Sequence, residues 1–294
     1  MNSDRTQTAA LGGLTVAAFL FGVTFVVVKA AMDHVAPLAF VGWRFLVGGL
    51  ALLVLAVPRS KGVWRDGSIA GMWLFAGYAL QTGGLTITDA TNSALITGLY
   101  VVFVPLLAAI ARKRPPAPWA LVGVMLGFIG TALLTVRDEL VFDTGDLLTV
   151  GCAIAFAGHI VTVAKQATRH PVIPYTTVQL LVTAALGLAG SVVFEGPGLP
   201  DSRAWPAILL TGLGVSAIAF LLQVWAQHRV GPSRTAILLT LEPVFAVAAA
   251  AIVLSERLTV AGWFGAIIIL GAIALVLTRV TDDPIVEAEA ISPV

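Results

Sequence analysis

The chain has 294 residues, 58% of them hydrophobic and only 11% charged, with a formal net charge of +1 and a mean hydropathy of +0.96. Soluble domains carry roughly 45–50% apolar and about 25% charged residues, so composition excludes a water-soluble globular protein and directs the chain to a lipid bilayer. The single Cys152 excludes an internal disulfide, and the four His residues, 34, 159, 170 and 228, are scattered without metal-ligand spacing, so no metal, cofactor or nucleic-acid partner is expected.

A hydrocarbon core about 30 Å thick takes roughly 20 apolar residues per helix. Ten stretches have about that length: 10–31, 36–57, 67–85, 91–111, 117–136, 145–165, 173–194, 204–227, 235–254 and 260–278. The first is long enough to span and is followed by apolar runs throughout, so it is expected to be retained rather than removed as a signal peptide. Breaks fall at Pro58-Arg59-Ser60-Lys61, Arg114-Pro115-Pro116, Gly196-Pro197-Gly198 and Gly231-Pro232. The expected fold class is an all-α integral membrane protein of ten transmembrane helices. Its parts are an N-terminal segment 1–9, a first five-helix unit 10–137, a second five-helix unit 138–279 and a solvated, disordered acidic tail 280–294.

Cations set the orientation. With the N-terminus in the cytoplasm, Arg5, Arg59, Lys61, Arg65, Arg112, Lys113, Arg114, Lys165, Arg169, Arg229, Arg234 and Arg279 fall on the inner side, twelve of the 17 Lys and Arg. Only Arg137, Arg203 and Arg257 lie in outer loops, and the retention of positive charge inside predicts cytoplasmic N- and C-termini in a plasma (inner) membrane.

The chain repeats itself. Residues 89–135 align without gaps on 231–277 at an offset of 142: Ser93-Ala94-Leu95-Ile96 meets Thr235-Ala236-Ile237-Leu238, Tyr100 meets Glu242, Gly123 meets Gly265, and Gln81 meets Gln223. At an offset of 136, Phe21-Gly22-Val23 meets Ala157-Gly158-His159 and Lys29 meets Lys165. Five spans per unit is an odd number, so the second copy crosses the membrane upside down. Inverted repeats of this kind rock against each other around a site at their interface.

The run Thr235 to Phe245 containing Glu242-Pro243, then Leu254-Ser255-Glu256-Arg257-Leu258, Gly262-Trp263-Phe264-Gly265 and Leu270-Gly271, closely resembles the EamA-type branch of the drug/metabolite transporter superfamily. Gly22, Lys29, Pro37 and Arg44 sit where the first two spans of that family carry a similar pattern. The resemblance implies export or exchange of small metabolites such as amino acids by alternating access. The chain departs from a symmetric pattern at Tyr100-Val101, where the second unit has Glu242-Pro243, and at Arg112-Lys113-Arg114-Pro115, which replaces the Ser-Glu-Arg turn.

Glu242 is the leading candidate for the transport pathway. A carboxylate near midplane costs on the order of 2.5–3.5 kcal/mol, so it is expected to face a cavity and to exchange a proton or hold a substrate amine. The bland alternative is that it satisfies backbone groups freed by Pro243. His159 changes charge near neutral pH and could relay with Glu242, or could simply tie two helices together. Arg44 could bind a substrate carboxylate or pin a helix end. Gln81, Gln223, Gln179, Asn92, Tyr100 and Trp225 could line a central cavity, or bond between helices. Lys29 and Lys165 are candidates for the two mouths, with snorkelling to the interface as the alternative. Trp43, Trp73, Trp119, Trp205 and Trp263 read as anchors or packing residues, and Gly67/Gly71 and Gly123/Gly127 as close-packing devices.

The expected partners are therefore a small solute and the bilayer, in a monomer or homodimer. A multidrug or hydrophobic-cation exporter is the second reading. A membrane enzyme or a passive channel is the remaining alternative, disfavoured by the scattered His residues and the repeat.

Overall fold

A computed structural model describes the backbone of residues 2–111, 113, 115, 118–135, 143–196, 199–239 and 241–281; of the expected acidic tail 280–294, Val280 and Thr281 close the last helix and the rest lies outside the described residues. Among the described residues twelve α-helices follow one another: α1 (Asn2–Ala31), α2 (Pro37–Leu55), α3 (Lys61–Leu85), α4 (Ala90–Thr97), α5 (Tyr100–Ala111), α6 (Pro118–Thr135), α7 (Thr144–Gln166), α8 (Val172–Phe194), α9 (Trp205–Leu210), α10 (Phe220–Leu239), α11 (Leu241–Val253) and α12 (Val260–Thr281). Among the described residues there is no strand. Local chemistry sets several starts. Pro37 stands at the first turn of α2, where its missing N–H costs nothing. The side chains of Ser60 and Asp143 accept the amides of Gly62 and Gly145 and so cap α3 and α7.

Among the described residues six helical segments are long and apolar enough to cross a membrane: Thr8–Ala31, Pro37–Leu55, Ala90–Leu107, Thr144–Arg169, Val172–Phe194 and Ser202–Gln227, with Leu241–Val253 and Val260–Leu275 as shorter apolar helices. The chain is thus a multi-pass helical membrane protein. Glycine-rich α3 is not among the six; it packs against both α7 and α8 and turns Trp64, Met72 and Trp73 outward. Exposed Val54, Ile110, Met125, Phe194 and Ile252 point outward, as lipid-facing side chains should.

Helix pairs form where small residues let backbones meet. α2 lies on α8, and a Cβ added to Gly187 would stand 2.7 Å from the amide nitrogen of Gly42. α6 lies on α12, where a Cβ on Gly130 would meet Gly265 O at 2.8 Å. α1 packs on α10 and α11, and α7 packs on α3, α4 and α5. Gly67 and Gly71 face Val178 and the carbonyl of Gln179 on α8, the packing role read from their spacing. Trp43 and Trp205 pack edge to face at 5.4 Å, Trp73 covers Gly158 with its outer face exposed, and Trp263 is exposed.

Two departures from the sequence reading concern helix ends. The fourth stretch is broken into α4 and α5 at Gly98-Leu99; a Cβ on Gly98 would approach Pro243 Cγ at 2.9 Å, so the kink is shaped by α11. The Gly231-Pro232 break is instead absorbed into α10, which is helical from Phe220 to Leu239. Yet Gln223 and Leu239 line one small cavity. A straight helix rising about 1.5 Å per residue would separate them by roughly 24 Å, so the axis of α10 folds back between them. A second irregularity, the π-helical stretch Thr211–Ala219, joins α9 to α10 against α2.

Candidate functional site

Where α1, α3, α5, α7, α10 and α11 converge, a cavity of about 30 Å³ is lined by aromatic and polar side chains. Phe21, Tyr78, Phe156 and Phe220 form its aromatic walls; Tyr100, His159, Gln223 and Glu242 are its polar groups. That volume admits roughly two waters and is far below the roughly 300–1,000 Å³ of small-molecule sites, so the chamber is too small for a solute in this conformation.

Glu242 is buried in the first turn of α11. The Tyr100 hydroxyl lies 3.0 Å from Leu239 O and 3.2 Å from Glu242 Oε2, able to donate to either. One hydroxyl has one proton, so an ionised Glu242 would be held by half a donor; a protonated Glu242 can itself donate to Tyr100, leaving the phenol for Leu239. Tyr100 and Glu242 are the pair equated by the 142-residue offset. Tyr78 and Phe220 differ by 142 as well, and their rings stand 6.0 Å apart across the same chamber.

The remaining candidates divide. His159 lines the chamber and donates Nε2–H to Gln179 Oε1 at 2.8 Å, because the Gln179 amide nitrogen is committed to Tyr175 O. Gln179 is therefore a holder of His159 rather than a lining residue. Gln81 is likewise one layer out, bonded to Thr97 at 3.3 Å. Trp225 faces a different groove, treated below. Asn92 is buried near the start of α4, outside the chamber. Arg44 is fully buried behind the chamber wall, its guanidinium 4.7 Å from the Tyr78 ring centroid and 5.1 Å from that of Phe45, with Nε donating to Ser216 at 3.4 Å.

One end of the bundle is latched. The carboxylate of Glu256, just past α11, accepts the amides of Ala90 and Thr91 at the start of α4 (3.0 and 2.9 Å). Glu195, just past α8, accepts the amides of Leu38 and Ala39 at the start of α2 (2.8 and 3.0 Å). Both carboxylates satisfy free N–H groups at the positive end of a helix dipole, and both reach from the second half of the chain to the first. Lys29 Nζ donates to Leu85 O and Thr88 O (2.8 and 2.7 Å) at the end of α3, and Thr88 in turn donates to Asp146 at 2.6 Å. Lys29 is thus bonded within the latched end, whereas Lys165 at the other end is exposed. At that other end His170 Nε2 donates to Asp66 Oδ2 at 2.8 Å. This bond, followed by contacts with Arg65 and opposed by burial, holds the Asp66 carboxyl below the usual carboxylate range.

Tyr78, Phe220 and Glu195 do not stand out in the sequence, and Glu256 stands out only within the Ser-Glu-Arg run, as a possible coupling carboxylate beside Glu242 and not as a helix cap. Tyr78 and Phe220 stand one helical turn before Gln81 and Gln223, so extending that pairing backwards by three residues would have found them. Glu195 and Glu256 bond to residues 156–166 positions away, and no local pattern marks such a cap.

A multi-pass helical protein with a small aromatic and polar chamber between its helices, latched at one end, has the build of a membrane transport protein. The matching family model, the EamA-like transporter family, covers residues 8–136 and 143–278, and the chain belongs to that family. A transporter of Archaeoglobus fulgidus described as uncharacterized is 32% identical over 274 residues, covering 91% of this chain and 85% of its own. A probable amino-acid metabolite efflux pump of Salmonella typhimurium is 25% identical over 279 residues (86% and 90%), and the aromatic amino acid exporter YddG of Ancylobacter novellus is 26% identical over 231 (73% and 77%). A solved crystal structure, 20% identical, covers 91% of this chain and 98% of its own with a TM-score of 0.64, which shows a shared fold.

Proposed function

We propose that this transporter exports or exchanges small metabolites of the amino-acid class by alternating access. In this reading ten spans form two inverted five-helix repeats, and Glu242 carries a coupling proton. The observation that carries the reading is contact between equivalent residues. Tyr100 meets Glu242, and Tyr78 meets Phe220, each pair separated by 142 positions and all four on one chamber. A residue touches its own symmetry mate only beside the symmetry axis, so these contacts support a pseudo-two-fold axis running through the chamber. The fold-back within α10 supports separate eighth and ninth spans.

Rocking about that axis exchanges one open mouth for the other. The latched end, with its few cations, is the outer side; the end carrying Arg59, Lys61, Arg65, Arg169 and Arg229 is the cytoplasmic side of an inner membrane. At the repeat-equivalent positions of Glu195 and Glu256 the chain has Arg59 and Arg114. A cation cannot accept helix amides, so the two mouths are closed by different means.

The amino-acid class is supported by the names of two relatives and by the chamber's chemistry. Aromatic walls suit an apolar side chain, and Glu242 suits an ammonium group or a proton. The same features favour a hydrophobic cation as the second reading. Counterflow of labelled solutes into proteoliposomes tests both. Saturable exchange of amino acids, accelerated by an imposed pH gradient, is expected; exchange restricted to hydrophobic cations overturns the first reading in favour of the second.

A further inference from the structure

We propose that an apolar groove at the cationic end of the bundle, separate from the chamber, binds an anionic phospholipid. The groove has a volume of about 610 Å³ and is bounded by Ala56 just past α2, Val172 and Ile173 at the start of α8, and Leu221, Leu222 and Trp225 on α10. Pro171 and Pro174 stand in the same wall and carry no N–H, which removes two donors that a helix start would otherwise turn toward water. The groove therefore suits hydrocarbon and offers little to a polar solute.

Its rim supplies the second half of the recognition. Arg229 is exposed, with its guanidinium 4.3 Å from the centroid of the Trp225 ring and Nη1 donating to Trp225 O at 2.8 Å. Stacking and that one bond fix the guanidinium above a groove wall while leaving its other donors at the surface. A phosphate accepts such a planar fork better than it accepts a mobile ammonium. Arg59, Lys61 and Arg169 lie at the same end of the bundle, but Arg229 is the cation held against the groove wall itself, two residues past the membrane-capable segment Ser202–Gln227 and so at headgroup depth. An acyl chain in the groove with a phosphate on Arg229 uses both features; cationic pockets between helices at a membrane surface recognise anionic headgroups in this way.

The inference stands apart from the transport reading, because its test is lipid retention and not flux. The full chain, purified in detergent, is exchanged against equal amounts of phosphatidylglycerol and phosphatidylcholine, and retained lipid is measured by native mass spectrometry. Wild type should favour phosphatidylglycerol about fivefold, the factor given by roughly 1 kcal/mol for an Arg near an anionic surface, and the preference should shrink as salt rises. Arg229→Gln should lose the preference and keep chain binding. Leu222→Trp, which fills the groove, should lose both lipids. Arg203→Gln, a surface cation at the opposite end, should behave as wild type. Equal retention of the two lipids by wild type, or an undiminished preference in Arg229→Gln, overturns the proposal. So does lipid retention that survives Leu222→Trp in protein whose unperturbed melting temperature shows that it is folded.

Discussion

Truncating Glu256 to Ala should open the latched end, and the size of the effect follows from the two bonds it breaks. The carboxylate accepts two amides at the first turn of α4, at 3.0 and 2.9 Å. Loss of a helix cap costs about 0.5–2 kcal/mol, and loss of the charge at the helix dipole about 0.3–1 kcal/mol more, so about 2 kcal/mol is a fair central value. At 1.4 kcal/mol per decade that is about a thirtyfold shift toward the open mouth. A reporter is already in place. Cys152 is the one cysteine of the chain, is fully buried on α7, and lies 3.9 Å from Thr97 of α4. One turn earlier Ser93 of α4 approaches Thr149 of α7 at 3.5 Å. Release of the α4 start should separate these faces and expose the thiol. An impermeant maleimide added on the Glu256 side should label Cys152 up to about 30 times faster in Glu256→Ala than in wild type at fixed pH. Glu256→Gln, whose amide has one accepting oxygen, should fall between. An unchanged rate, or acceleration only from the opposite side, would refute the latch.

Other outcomes follow from the same geometry. Glu242→Gln should retain solute counterflow while losing its acceleration by a pH gradient; acceleration equal to wild type would remove Glu242 from coupling. Gly22→Ala would place a Cβ 2.6 Å from Glu242 O and 2.7 Å from Phe245 Cβ, contacts that backbone cannot yield, so about 1–3 kcal/mol of stability should be lost in thermal unfolding. Gly12→Ala, in the same helix with nothing within 4 Å, should be neutral or slightly stabilising, and an equal loss at both sites would contradict this packing. Asp66, held below its ordinary range by His170, contributes stability at neutral pH that is lost as pH falls through the native value. Asp66→Asn should therefore melt below wild type at pH 7, with the gap closing once the pH is below the ordinary Asp value of about 3.9; a gap that widens on acidification would show the sign to be wrong.

What the sequence made legible was periodic: apolar lengths that fix helices, and an offset that equates one half of the chain with the other. That offset aligned Tyr100 with Glu242 without revealing that they touch, since an alignment carries register but no contacts. His159 and Gln223 were found because polar residues in apolar helices are conspicuous. The aromatic walls were not, since Phe and Tyr are unremarkable in a lipid-facing sequence and only packing shows which of them turn inward. Polarity alone does not separate a lining residue from an interhelical bond: Gln81 and Gln179 are bonded to Thr97 and His159, one layer back from the chamber. The latch was invisible for another reason. Capping by Glu195 and Glu256 spans more than 150 residues, so it depends wholly on how the helices assemble.

Alternating access is tested most directly by a single cysteine in the chamber. In a Cys152→Ser background, Leu239→Cys places a thiol among the lining residues, and impermeant reagent is applied separately to each face of sided vesicles. The account predicts labelling from either face, with Glu256→Ala raising the rate from the latched face and lowering it from the other as one population drains into the other. Labelling from one face only, or simultaneous acceleration from both, would contradict it and point to a fixed cavity or a continuous pore.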